Sequence, residues 1–282
     1  METIRMLRVM QDTAKRHLYQ GKSIGFVPTM GALHEGHLSL VKRARSECDI
    51  VVVSIFVNPL QFGQGEDFER YPRDSEGDRE KLLRARADIL FAPDAAAQYP
   101  ESFSTHVTVS ALSERLCGAF RPGHFSGVTT VVCKLFHIVR PVSAYFGQKD
   151  YQQTVIIKRM VEDLNMGVEV VVVPTVREPD GLALSSRNAY LSPAERKAAP
   201  VLYRTLLAAS QEVKAQAAPP VEIKARMHAA LLQESLISEV QYAGVYDPAT
   251  LEEATEFGKR TLLALAVKMG STRLIDNLLV DR

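Results

Sequence analysis

Apolar positions in the first 175 residues follow two alternating rhythms. Short apolar runs read as strands: SIGFVP (23–28), DIVVVSIFV (49–57), DILFAP (88–93), SAYFG (143–147) and VEVVVVP (168–174). The stretches between them are spaced for helices. HLSLVKRARSEC (37–48) places Leu38, Leu40, Val41, Ala44 and Cys48 on one side, with Lys42, Arg43 and Glu47 outside. DSEGDREKLLRARA (74–87), VTTVVCKLFHIV (128–139) and YQQTVIIKRMVEDLN (151–165) carry the same period. The run at 49–57 is continuous and rich in valine, as in a strand covered on both faces of a parallel sheet. About five strand–helix alternations predict an α/β fold with a Rossmann-like doubly wound parallel sheet. Such sheets bind ligands at the carboxyl ends of their strands, so polar stretches just after strands are the places to look for chemistry. NPLQFGQGEDFERYPRD (58–74) is one, and it is too long for a simple connection. Residues 94–127 are mixed and end in the turn-rich GAFRPGHFSG (118–127).

The rhythm changes after residue 175. SPAERKAAPVLYRTLLAASQEVKAQ (192–216) opens with Ser192 as N-cap, Pro193 at the first helical position and Glu195 as the partner in a capping box. Pro200 is expected to close the second turn or kink the helix, and APP (218–220) to end it. VEIKARMHAALLQE (221–234) predicts a second helix. EVQYAGVYD (239–247), TLLALAVKMG (261–270) and TRLIDNLLV (272–280) predict strands. The division expected is a Rossmann-like domain over 1–175 and a smaller α+β lid domain over 176–282.

Composition narrows the function classes. The chain has 282 residues, a formal net charge of +1, 46% apolar and 24% charged residues. Near-neutral charge gives no long-range field for nucleic acid or an anionic membrane. Cys48, Cys117 and Cys133 are odd in number and widely spaced, which suits neither a disulfide framework nor a zinc site. The first residues, METIRMLRVMQDTAKRHL, lack the apolar block of a secretory signal. The apolar runs are far shorter than the ~20 residues that span a bilayer. A soluble cytoplasmic protein with no nucleic-acid or membrane partner is expected.

The most informative stretch is VPTMGALHEGHLSL (28–41), with two histidines three apart between a strand and a helix. A zinc protease pair would be four apart on an established helix, whereas here Gly36 interrupts and no third ligand is evident. A phosphate site fits better. The first N–H groups of a helix are unpaired and its dipole is positive there. Gly31 and Gly36 allow close backbone approach, and two imidazoles can donate hydrogen bonds to phosphate oxygens. Two solvated loop histidines remain the plain alternative on these residues alone.

PTMGALHEGH resembles the H-x-G-H signature of nucleotidyl-transferring enzymes related to class I aminoacyl-tRNA synthetases. With VNPLQF (57–62), FGQKDYQQ (146–153) and DGLALSSRN (180–188), the resemblance narrows to the pantothenate synthetase (pantoate–β-alanine ligase) family. RPGHFSGV (121–128) and TRLIDN (272–277) fall where that family has very similar segments, so the likeness runs almost end to end. It implies an ATP-dependent ligase that condenses pantoate with β-alanine through pantoyl adenylate, releasing pyrophosphate and AMP. The chemistry of that reaction implies Mg²⁺ accompanying ATP, no carboxylate cluster in the sequence marks a protein cage for it, and the resemblance implies a homodimer.

On that resemblance His34, His37 and Lys149 are the catalytic candidates. The ATP-binding candidates are Met30, Gly31, Ala32, Leu33, His34, Glu35, Gly36 and His37 at the first turn, Gly147, Gln148, Lys149 and Asp150 after the fourth predicted strand, and Val176, Leu184, Ser185, Ser186 and Arg187 at the domain junction. Gln61 and Gln153, with Asn58 assisting, are the candidates for binding pantoate and β-alanine. Neutral amides can hold a carboxylate and hydroxyls without a rigid charge pair on the nucleophile. His124 reads as a turn histidine, Ser126 receives no substrate contact, and His17, His106, His137 and His228 have no partner pattern. Two other functions stay open: another nucleotidyltransferase of the same superfamily, which would have no use for the Gln61 and Gln153 pair, and a catalytically silent nucleotide-binding module, against which His34, His37, Lys149 and Arg187 argue.

Overall fold

The computed structural model describes residues 1–282. They form two compact units. The first comprises residues 1–114, 121–148 and 153–174, and the second comprises 115–120, 149–152 and 175–282. Two short pieces, one holding Lys149 and Asp150, thus group with the second unit rather than with their sequence neighbours.

The first unit is built on a six-stranded sheet of β1 (Glu2–Ile4), β2 (Ile24–Thr29), β3 (Ile50–Ile55), β4 (Ile89–Phe91), β5 (Ser143–Gly147) and β6 (Glu169–Val173). The spatial order is β1-β4-β3-β2-β5-β6 and every pairing is parallel. Its helices are α1 (Leu7–Tyr19), α2 (Glu35–Glu47), α3 (Ser75–Arg84), the short α4 (Ala95–Gln98), α6 (His124–Val139) and most of α7 (Tyr151–Asp163), and α5 (Cys117–Phe120) belongs to the second unit. The sheet has helices on both faces. Val27, Val51 and Val53 pack with Leu40, Val41 and Ala44 of α2, while the neighbouring Phe26 meets Phe136 of α6 edge-on, ring centroids 6.3 Å apart. Successive strand residues point to opposite faces, which explains why the valine run at 50–53 is wholly buried.

The second unit carries α8 (Pro193–Ala198), α9 (Val201–Ala215) and α10 (Pro220–Leu232), and an antiparallel sheet in the order β7 (Ile237–Tyr246), β8 (Arg260–Met269), β9 (Thr272–Asp281). Met269 pairs with Thr272 across a two-residue turn whose Gly270 has φ +57°, the left-handed conformation such tight turns require. Leu202, Leu206 and Val213 of α9 and Ile223, Met227 and Leu231 of α10 form the core with Leu263, Leu265 and Val267 of β8.

Several sequence expectations need correction. A sixth strand, β1, and the helix after it occupy the first 20 residues, which carry too few apolar positions to announce an edge strand of three residues. Helix α6 begins at His124, not Val128, so the GHFSG segment is its first turn; His124 is a helical residue rather than a turn residue. Gly123, with φ +81°, makes the sharp entry. Pro200 does more than kink a helix: α8 ends at Ala198 and Pro200 caps α9. The capping box of Ser192 and Glu195 forms as expected, with Ser192 N donating to Glu195 Oε2 at 2.7 Å.

Candidate active site

Strand order reverses at β2: the chain runs from β2 to β3 and β4 on one side, and its neighbour on the other side is β5. Thr29 lies opposite Ile55 and Phe26 opposite Ala144, so β2, β3 and β5 deliver their carboxyl ends side by side. This is the switch point at which doubly wound sheets bind ligands. The segments that follow these three ends hold the two histidines, Gln61, and Gly147 with Gln148.

The histidine turn is held in an unusual backbone shape. Gly31 and Ala32 both have positive φ, +85° and +49°. A Cβ on Gly31 would come within 3.0 Å of Ile55 Cγ2 and 3.1 Å of Asp78 Oδ2. Asp78, on α3 and 1% exposed, fixes this shape. Its oxygens accept from Ala32 N at 2.8 Å and Leu33 N at 2.7 Å. Lys81 donates to Leu33 O at 2.9 Å and stands 3.6 Å from Asp78 Oδ1. A buried carboxylate needs such donors to offset its lost hydration. Neither Asp78 nor Lys81 was marked by the sequence, because a polar pair on an amphipathic helix looks like a solvated face.

His34 then caps α2. Its Nδ1 accepts from Gly36 N at 3.2 Å, and His37 Nδ1 accepts from His34 N at 3.3 Å. The rings stack with centroids 4.1 Å apart and a 37° tilt. A neutral imidazole that accepts at Nδ1 carries its proton on Nε2. Both rings therefore present Nε2–H as the donor, at the positive end of a 13-residue helix. Glu35 is exposed and pairs with Lys42 at 3.4 Å, so any part it takes in the turn is through its backbone.

After β3 the chain makes a short 3₁₀ turn, Pro59–Gln61. Asn58 is wholly buried and its amide makes four hydrogen bonds to other protein groups. Its Nδ2 donates to Gln61 Oε1 (3.2 Å) and Gly127 O (3.0 Å), and its Oδ1 accepts from Leu60 N (3.3 Å) and Tyr99 Oη (2.8 Å). Burial pushes the Tyr99 phenol well above its ordinary pKa, which keeps it a donor. Asn58, expected beside the substrate, thus sets the amide of Gln61: Oε1 is engaged, and Nε2 is turned to Met30 Sδ at 2.9 Å. Gln61 and Met30, distant in sequence, meet here.

The loop beyond Gln61 is tied down by its own side chains. Phe62 packs edge-on against Phe68 and Tyr71, and Arg73 donates to the carbonyls of Phe68, Glu69 and Tyr71. Arg121 grips Glu66 through two hydrogen bonds of 2.6 Å. Burial raises the Glu66 carboxyl, but the bonds and charge of Arg121 outweigh it and hold the group below its ordinary range. Gly127 allows α6 to touch this turn: a Cβ there would lie 2.2 Å from Leu60 O. Gly147 ends β5 with open space where a Cβ would stand, and Gln153 lies partly buried in the first turn of α7.

Within the second unit, Lys149 Nζ stands 3.5 Å from Asp150 Oδ1, and Lys149 O accepts from Asn277 Nδ2 at 2.8 Å. Val176 and Leu184 form the neck of a tight loop, Leu184 N donating to Val176 O at 3.0 Å. Arg177 locks that neck with two bonds to Asp276 (2.6 and 2.9 Å), its guanidinium 3.8 Å from the Tyr203 ring centroid. Ser185 Oγ accepts from Arg187 N at 3.3 Å and so caps the 3₁₀ turn Ser186–Tyr190. The capping role and a ligand role for Ser185 are compatible, since a hydroxyl has a donor as well as acceptors. The TRLIDN motif resembled the family, but its Asp276 and Asn277 revealed their partners only in three dimensions.

No group of three or more His, Cys, Asp or Glu side chains stands together as a metal cage. No helix is long and apolar enough to cross a membrane. The three cysteines are free.

The comparisons agree on one family. A family model described as pantoate-beta-alanine ligase matches residues 2–279. A pantothenate synthetase of Thermodesulfovibrio yellowstonii is 59% identical over 281 residues, 100% of both chains. The crystal structure of pantothenate synthetase from Thermus thermophilus superposes with a TM-score of 0.93 at 50% identity, covering 99% of each chain. That of a pantoate-beta-alanine ligase from Francisella tularensis, complexed with beta-gamma ATP and beta-alanine, gives 0.81 at 35% identity, covering 99% of this chain and 97% of that one. With its parallel sheet, its capped histidine pair and its full-length likeness to these enzymes, the chain belongs to the pantoate–β-alanine ligase family.

Proposed function

We propose that the carboxyl ends of β2, β3 and β5 bring ATP and pantoate together, and that the chain makes pantothenate in two steps. A pantoate carboxylate oxygen attacks the α-phosphorus of ATP. The bond from that phosphorus to the bridging oxygen breaks, and pyrophosphate leaves with its electron pair. The β-alanine amine then attacks the acyl carbon of pantoyl adenylate, loses a proton as the amide forms, and AMP departs. Carboxylate is a poor electrophile in water, and the mixed anhydride supplies the missing reactivity. The protein must neutralise phosphate charge, align two anions and keep water from the anhydride.

The observation that carries this reading is the stacked pair His34 and His37, each accepting a backbone N–H at Nδ1 at a helix N-terminus, which leaves Nε2 to donate. Two Nε2–H donors and a helix dipole suit a polyphosphate better than a metal, which would need an imidazole lone pair. The two rings stabilise charge at the transferring phosphorus, with His37 as the catalytic ring. The backbone from Met30 to Gly36 lines the nucleotide path, and Gly147 and Gln148 approach adenosine. Lys149, Asp150, Val176, Leu184, Ser185, Ser186 and Arg187 are assigned to ATP on their chemistry and on the family pattern. Gln61 offers Nε2–H to a pantoate oxygen, Gln153 is its partner for the same substrate, and Asn58 acts through Gln61.

Mg²⁺ entering with ATP would supply positive charge against the phosphates. We assign the enzyme to the cytoplasm on its widely spaced free cysteines and to a homodimer on the family resemblance. Sedimentation tests the second point: a single 31 kDa species would refute it. The reaction is tested by order of addition. Pyrophosphate release should require pantoate, and AMP release should further require β-alanine. Pyrophosphate release that ignores pantoate would sink the reading.

A further inference from the structure

We propose that Glu66, Arg121 and His124 are positioning residues that fix the direction of Gln61. The proposal rests on the reading of Gln61 as a pantoate ligand. The main-chain oxygen of Gln61 accepts two bonds, from His124 Nδ1 at 2.7 Å and from Arg121 Nη2 at 3.2 Å. Arg121 Nη1 lies 3.1 Å from His124 Nε2. Guanidinium can only donate and a carbonyl can only accept, so both roles of the imidazole are determined. His124 carries its proton on Nδ1 and accepts at Nε2, the opposite tautomer to His34 and His37. Arg121 is oriented in turn by its two-point contact with Glu66, whose Oε2 also accepts from Gly63 N at 3.1 Å.

The chain of contacts therefore closes on itself. It leaves Gln61 by its carbonyl, passes His124 and Arg121, reaches Glu66 and returns through Gly63 to the segment that holds Gln61. Asn58 fixes which way the Gln61 amide is flipped. The relay fixes where its backbone stands. Both contacts end on the main-chain oxygen of Gln61, so the effect proposed for them passes through Gln61. His124 sits at the start of α6, a 16-residue helix buried along most of its length, and this gives the anchor a rigid base.

The test uses two isosteres of histidine in the full-length enzyme. An asparagine amide nitrogen overlays imidazole Nδ1, and a glutamine amide overlays Nε2. His124→Asn keeps the bond to Gln61 O and loses the one to Arg121, and His124→Gln does the reverse. Pantoate KM should rise about tenfold or more in His124→Gln, since displacements near 1 Å can cost up to about 100-fold. It should stay within about twofold of wild type in His124→Asn, and KM for ATP should hold within about twofold in both, as expected when only one substrate's ligand moves. Equal pantoate KM in the two variants, or equal losses for ATP and pantoate, would overturn the relay. If His124→Gln does not fold, Glu66→Gln takes its place with the same expectation for pantoate and the same refuting result. Gln61→Ala separates the two claims. Unchanged pantoate KM in that variant defeats the ligand reading itself, whereas a raised value there with wild-type behaviour in His124→Gln defeats only the relay.

Discussion

Gly127→Ala offers a sharp test of how the Gln61 turn is held. The added Cβ would stand 2.2 Å from Leu60 O, 2.4 Å from Leu60 C and 2.7 Å from Gln61 N. Ordinary carbon–oxygen contact begins at about 3.3 Å, so the overlap is about 1 Å and falls on backbone, which cannot swing aside like a side chain. Either α6 or the 3₁₀ turn must shift by that amount. Overpacking of this kind typically costs about 1–3 kcal/mol. In a protein of this size that lowers Tm by about 2–12 °C, at roughly 2–4 °C per kcal/mol, so the variant should fold. Misplacing a substrate ligand by about 1 Å can reduce turnover about 100-fold. Function should therefore suffer more than stability. Steady-state pyrophosphate release across a range of pantoate at saturating ATP measures the first, and thermal melting the second. If Gly127→Ala melts lower but keeps wild-type kcat and KM for pantoate, the close approach of α6 to Leu60 and Gln61 does not govern the site.

Other perturbations test separate parts of the site. His37→Ala, and likewise Lys149→Ala, should slow pantoate-dependent isotope exchange between pyrophosphate and ATP by about 100-fold or more, with an unchanged melting curve; exchange at the wild-type rate would remove either residue from the catalytic set. Asp78→Asn keeps one acceptor where two are needed for Ala32 N and Leu33 N, so it should destabilise by about 1–3 kcal/mol and raise KM for ATP, with chemical denaturation and kinetics as readouts. Glu66, held below its ordinary value of 4.5 by Arg121 after burial is overcome, should stabilise the fold above that pH and stop doing so as pH falls through its lowered value. Denaturation midpoints of wild type and Glu66→Gln should accordingly differ near pH 7 and converge on acidification; a gap that persists at the acid end would contradict the ion pair.

What the sequence showed and what it hid divide along a physical line. Strands β2 to β6 were legible because each lies in a run of apolar, largely β-branched or aromatic residues, and the segments that follow β2, β3 and β5 hold the proposed site residues His34 and His37, Gln61, and Gln148 and Lys149. Edge strand β1 had too little pattern to register: only Ile4 of its three residues is buried, whereas all three of the equally short β4 are. The supports were silent for a different reason. Asp78 acts on Ala32 across 46 positions, His124 on Gln61 across 63, and Arg177 on Asp276 across 99. No local period encodes such pairings; each looks like an ordinary polar residue on a helix or turn until the chain closes.

The three histidines of the first unit's site make the same point chemically. In sequence each is the same imidazole, able to donate or accept at either nitrogen. In His34 and His37 backbone N–H groups occupy Nδ1 and force the proton to Nε2. In His124 a carbonyl faces Nδ1 and a guanidinium faces Nε2, and the proton moves to the other side. Two rings are thereby set to donate from Nε2, toward a polyphosphate in the function proposed here, and one is set to hold the peptide of Gln61, the proposed pantoate ligand. The assignment of roles follows from the neighbours of each ring, and exchanging the isosteres should exchange the consequences: an asparagine can stand in at residue 124, where Nδ1 is the working donor, and should fail at His37, where Nε2 is.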